Sequence, residues 1–174
     1  EKGKVKTKYS KEIYNTIAGH YNDYNFVALD FWNAKDFKNA YNAWEIFLTM
    51  PENPNLAKEI KVYPDSTLAQ VYYNQALAAW QCDDFASAVK SFRGSIAKGN
   101  TNRDLFEYAV AVANNAKDEE AMLEFATKGN ELYGKDDPSF INNIINIYIM
   151  KEDYDTALQK LDAAAATDPN NAQY

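Results

Sequence analysis

Apolar residues recur along this chain in steps of three and four. Ile141, Ile144, Ile145, Tyr148 and Ile149 form one such run. Leu105, Tyr108, Ala109 and Val112 form a second, and Tyr72, Ala76, Ala79 and Trp80 a third. That spacing puts each run on one face of a helix. Outside the short amino-terminal arm, no segment sustains the period-two alternation of a strand. Five prolines and six glycines leave long uninterrupted segments between breakers. The pattern predicts an all-α chain.

The helices also repeat. Reading from Asp36, Asp84, Lys117 and Asp153 gives one grammar each time. A polar turn comes first, followed in three of the four cases by an aromatic residue. A small residue follows as Ala40, Ala88, Ala121 or Ala157, and a large apolar residue stands four positions later. Successive alanines are 48, 33 and 36 residues apart. About twelve residues before each alanine lies Ala28, Ala76, Ala109 or, in the last case, Ile145. Two helices cross closely where both carry small residues, so Ala40, Ala88 and Ala157 are expected to be buried.

This recurrence resembles the tetratricopeptide repeat, a helix-turn-helix unit of about 34 residues. The resemblance implies a right-handed superhelical solenoid of such repeats, with units at 21–54, 69–100, 102–137 and 138–171 and an insertion at 55–68. The turns fall at 34–36, 81–84, 114–117 and 151–153, where Asn and Asp suit local hydrogen bonding and left-handed geometry. Ile145 departs from the small-residue rule and makes a looser last hairpin the expectation. Asp168-Pro169-Asn170-Asn171 resembles a junction between repeats. Residues 172–174 then read as the start of a further helix. Without such a helix, an open apolar end around Ile144, Tyr148 and Leu161 is expected to self-associate.

Leu56, Ile60 and Tyr63 in the insertion are spaced for a short helical turn that packs on its neighbour. Pro64 should stop it, and Asp65 or Ser66 should cap the next helix. Residues 1–20 carry Lys2, Lys4, Lys6, Lys8 and Lys11 on a basic arm. A helix then places Ile13, Tyr14 and Ile17 on one face, suited to capping the first repeat.

Composition narrows the chemistry. The 174 residues are 47% hydrophobic, enough for a core, and carry a net charge of −7. That balance disfavours a nucleic-acid partner, which needs a basic face. No run of apolar residues is long enough for a membrane span. One cysteine, Cys82, and one histidine, His20, exclude an internal disulfide and a Cys/His zinc site. No phosphate-binding glycine loop, paired nucleophile or calcium loop is present. The expectation is therefore a protein that is not an enzyme and needs no cofactor or metal.

What the resemblance implies is a binding groove on the first helix of each unit. Its positions are Asn22, Asn25, Leu29 and Trp32, then Gln70, Tyr73, Asn74, Leu77 and Trp80. Arg103, Phe106, Glu107, Val110 and Ala113 follow, then Ser139, Asn142, Asn143, Asn146 and Ile149. Asn25, Trp32, Tyr73, Asn74, Trp80, Arg103, Phe106, Asn142 and Asn146 are the leading candidates for contact with a peptide or protein partner. Amides pair with a peptide backbone, and aromatics supply area at low entropic cost. A basic clamp for acidic carboxyl-terminal tails is rejected, because Leu29 and Glu107 stand where it needs Asn and Arg. Two other readings remain open at this point. One is a structural or oligomerising segment of a larger protein. The other is a carbohydrate-handling scaffold, which would need a flat aromatic platform flanked by amides.

Overall fold

The computed structural model describes residues 9–167. The all-α expectation holds, with no strand among the described residues. Helices α1 (Ser10–Gly19), α2 (Tyr21–Asn33), α3 (Phe37–Thr49), α4 (Asp65–Gln81) and α5 (Phe85–Ala97) come first. Helices α6 (Arg103–Ala116), α7 (Glu119–Tyr133), α8 (Ser139–Met150) and α9 (Tyr154–Thr167) follow. They fall into two compact units, divided between Asn100 and Thr101. The lysines at 2, 4, 6 and 8, the 168–171 junction and residues 172–174 lie outside the described residues.

One turn closes the hairpins α2–α3, α4–α5, α6–α7 and α8–α9. In each, a non-glycine residue takes left-handed geometry: Lys35 (φ 59°), Asp83 (φ 59°), Lys117 (φ 56°) and Glu152 (φ 58°). An aspartate follows immediately, and its backbone N–H donates back to the helix just ended. The acceptors are Phe31 O for Asp36, Ala79 O for Asp84, Ala113 O for Asp118 and Tyr148 O for Asp153, each at 2.9 Å. That link satisfies an otherwise orphaned carbonyl. The same aspartate opens the next helix by accepting from a backbone N–H: Asn39, Ser87, Ala121 or Thr156. The aspartates are thus helix caps, and the left-handed positions fall mostly to Lys and Glu instead of Asn or Asp.

In the first unit α3 packs on α2 and α4, and α4 packs on α5. Ala28, Ala40, Ala76 and Ala88 are wholly enclosed, so the paired helices approach closely. Trp44, Phe47 and Leu48 fill the centre, and Tyr21 stacks on Phe47 with centroids 4.5 Å apart and planes 5° apart. Leu56 and Ile60 of the insertion join this core, and Tyr63 lies 5.7 Å from Phe47. The expected side-chain cap before α4 is absent. Pro64 occupies the cap position, and Asp65, already helical, pairs with Lys98 Nζ at 2.9 Å. The expected capping by α1 is partial: Tyr14 packs on the core, while Ile13 and Ile17 stay exposed.

The second unit packs α6 on α7, α7 on α8 and α8 on α9. Leu105, Phe106, Val112, Phe125 and Phe140 form its centre. Ala109 and Ala121 are enclosed like their counterparts in the first unit. The last hairpin meets Ile145 instead of a small residue, and α9 contributes only Ala157 to the buried set. Ile144 is buried and Tyr148 and Leu161 are half-buried, so the exposed apolar groups near this end are others: Ile149, Met150, Tyr154 and Leu158.

Candidate functional site

The face of α6 is set by its start. Asn102 Oδ1 accepts from Asp104 N at 2.9 Å and fixes Arg103 as the first helical residue. From there Glu107, Val110 and Asn114 follow in steps of three and four along one stripe. In α8, Asn143, Asn146, Ile147 and Met150 make the matching stripe. The two stripes, with Ala111 and Met122, line a cavity of about 360 Å³ within the second unit. Its floor is apolar, from the buried Val110, Met122 and Ile147, with the exposed Met150 at its edge, and its polar lining is three amides and one carboxylate. Among the described residues, Asn114, Asn143 and Asn146 make no side-chain hydrogen bond. Each offers a donor pair and an acceptor to whatever enters.

Of the leading candidates in this unit Asn146 alone lines the cavity, together with Glu107, Val110 and Asn143 from the wider set of groove positions. Phe106 does not belong to a groove: it is 1% exposed and sits in the core 6.4 Å from the Tyr133 ring. Arg103 is held by its own unit. Its Nε donates to Asp137 Oδ2 at 2.6 Å, its Nη1 to Glu107 Oε2 at 2.7 Å, and its guanidinium lies 5.8 Å from the Phe140 centroid. Hydrogen bonding from Ser139, reinforced by Arg103, holds the Asp137 carboxyl below the usual carboxylate range. Asn142 is half-buried and already has a partner. Asn114 escaped the sequence reading because its position was assigned to the turn, whereas α6 runs on to Ala116 before Lys117 stops it.

The first unit carries the other candidates. Asn25 Oδ1 accepts from the Trp44 indole N–H at 3.0 Å, which commits half of its amide to the fold. Trp32 is half-buried inside the first hairpin, edge-on to Phe37 at 5.1 Å. Tyr73 packs edge-on to Phe92 at 6.0 Å, and Asn74 accepts from Gln70 at 2.9 Å. Trp80 is half-buried near the end of α4. A second cavity, of about 600 Å³, lies between the start of α2 and the insertion, lined by Tyr21, Asn22, Lys61 and Tyr63 among others. The Tyr63 hydroxyl donates to Asn22 Oδ1 at 2.9 Å. The Tyr21 and Tyr63 rings are tilted by 42°, so they are not the flat platform a sugar-binding scaffold needs.

Among the described residues no cluster of His, Cys, Asp and Glu could hold a metal ion, and no helix is long and apolar enough to cross a membrane.

No family model matches the sequence, and no curated protein matches it. Solved structures do. The chain is similar to a crystal structure of MamA, at 14% identity, covering 95% of this chain and 88% of that one with a TM-score of 0.55. It is likewise similar to residues 41 to the end of MamA from Desulfovibrio magneticus RS-1, at 10% identity, 94% and 97% coverage and a TM-score of 0.53. YrrB, described as a TPR protein with an unusual peptide-binding site, overlaps with a TM-score of 0.45, too low to bear on this chain. At these identities the MamA likenesses show the fold alone. With the four matching hairpins, three of which cross at small residues on both helices, that fold is a tetratricopeptide-like helical repeat.

Proposed function

We propose that the protein is a non-enzymatic scaffold that binds an extended peptide segment of another protein along the first helices of its repeats. The cavity between α6 and α8 carries this reading: three uncommitted amides surround an apolar floor. An apolar side chain of the partner fills the space among Val110, Met122, Ile147 and Met150. Asn114, Asn143 and Asn146 pair with the partner's backbone N–H and C=O, which repeat in every peptide whatever its sequence. Glu107 at the edge disfavours an acidic neighbour to that side chain.

The test is a library of unstructured peptides screened against the whole chain, followed by titration of the best binder. Asn143→Ala with Asn146→Ala should weaken it about tenfold, from roughly 1 kcal/mol or less per lost amide contact. Val110→Trp should block it. Thermal melts should show both variants folded. A binder indifferent to both changes would remove the cavity from the site.

A further inference from the structure

The insertion between α3 and α4 is pinned at both ends and leaves a space beneath its middle. Leu56 and Ile60 anchor it in the core of the first unit, and the Tyr63 hydroxyl ties its far end to Asn22 on α2. The cavity of about 600 Å³ lies where the insertion faces the start of α2. That volume falls in the range of small-molecule sites. The Tyr21 and Tyr63 rings, 6.2 Å apart, form part of its wall, with Val62 and Pro64 beside them.

The polar groups of this wall are mostly donors in want of an acceptor. Tyr21 is 3% exposed, and its hydroxyl is buried with no hydrogen-bond partner among the described residues. Burial, with Tyr63 nearby, pushes its pKa up to about 12, so at neutral pH it stays a protonated donor. A hydroxyl taken out of water without a partner costs stability, and an acceptor that enters the cavity restores the missing bond. Asn22 Oδ1 is already engaged by Tyr63, which leaves the Nδ2 group to donate outward. Lys61 is exposed at the mouth and has no ion-pair partner among the described residues. Its long apolar stem lets the ammonium reach inward. Glu59 is the one acidic group of the lining, and it is exposed, so water and salt screen it.

We propose that this cavity binds a small aromatic carboxylate. Its ring lies against Tyr21, Tyr63, Val62 and Pro64, and its carboxylate accepts from the Tyr21 hydroxyl, Asn22 Nδ2 and Lys61 Nζ. Three donors, one of them charged, suit the lone pairs of two carboxylate oxygens. The site is independent of the peptide cavity, which belongs to the second unit, so either can fail without the other.

Titration of the whole chain with phenylacetate tests this, followed through the backbone amide NMR signals of Asn22, Lys61 and Val62. Those signals should shift and saturate at about millimolar ligand, as befits so small a probe. Phenylacetamide keeps the ring and the acceptor but not the charge, and should bind about fivefold more weakly. Phenethylamine, with the opposite charge, should bind more weakly than either. Tyr21→Phe keeps the ring on Phe47 and should weaken phenylacetate about fivefold. Lys61→Met should weaken it by a similar factor and abolish its preference over phenylacetamide. Melts should show both variants folded, and the exposed Lys61 reads the site even if Tyr21→Phe alters stability. The proposal is overturned if phenylacetate produces no saturable shifts at these amides. It is equally overturned if phenethylamine binds as well as phenylacetate, or if either variant binds phenylacetate as tightly as the wild type.

Discussion

The ring of Phe140 rests directly on the bare α-carbon of Gly129. A β-carbon at Gly129 would come within 2.4 Å of Phe140 Cδ1. Phe140 is 1% exposed and has no space into which to retreat. Gly129→Ala should therefore destabilise the second unit by about 1–3 kcal/mol through overpacking, despite the gain of up to about 1 kcal/mol that alanine brings to a helix. Gly94→Ala meets the Tyr72 ring at 2.6 Å, but Tyr72 is half-buried and can swing outward. Urea denaturation should show the smaller loss for Gly94→Ala. Equal losses would mean that ring mobility does not decide the cost.

The shared hairpin turn makes a paired prediction. Lys117 holds a left-handed conformation that costs a side-chain-bearing residue about 1 kcal/mol relative to glycine. Lys117→Gly should raise stability by about 0.5–1 kcal/mol, less whatever the unfolded chain gains in freedom. Asp118→Ala, one residue on, removes the cap on Ala121 N and should cost about 1 kcal/mol. Opposite signs at adjacent positions are the signature to look for in chemical denaturation.

The spacing of Ala40, Ala88, Ala121 and Ala157 made the hairpins legible, because a close helix crossing demands a small residue and leaves a mark in the sequence. The left-handed residues left no such mark: their geometry is imposed by the helix ends, and Lys or Glu tolerates it at a modest cost. Phe106 shows how little error a groove assignment survives. One residue along a helix is a rotation of about 100°, so Phe106 points into the core while its neighbour Glu107 edges the cavity. The insertion was readable from the four-residue spacing of Leu56 and Ile60. The Tyr63–Asn22 bond was not, since it joins positions 41 apart that no local pattern connects.

Tyr21 carries a buried hydroxyl without a hydrogen-bond partner among the described residues. Burial above all, with Tyr63 nearby, pushes its pKa up to about 12. The folded value lies above the unfolded value of 10.0, so the stabilisation is complete below pH 10 and is lost as pH rises towards 12. Tyr21→Phe keeps the ring on Phe47 and removes the orphaned group. It should leave stability at pH 7 unchanged or raise it by about 1 kcal/mol, and it should blunt the alkaline loss. A variant that melts lower at pH 7 would show that the hydroxyl is satisfied after all.

Asp137 makes the corresponding prediction at acid pH. It accepts from Ser139 N at 2.9 Å and from Arg103 Nε at 2.6 Å, linking the start of α8 to the start of α6. Its folded pKa lies below the ordinary value of 3.8, chiefly through Ser139 and then through Arg103. A depressed carboxyl contributes stability that is present above 3.8 and disappears as pH falls through the lower, folded value. Asp137→Asn keeps an acceptor for Ser139 but gives up the charge facing Arg103. At pH 7 the variant should be the less stable protein. The difference should narrow once pH drops below 3.8, because protonation of the wild-type carboxyl makes the two side chains alike in charge. Urea midpoints of both proteins, measured from neutral pH down to the acid limit of folding, give the comparison. A difference that stays constant across that range would assign Asp137 a purely steric role at the α8 terminus.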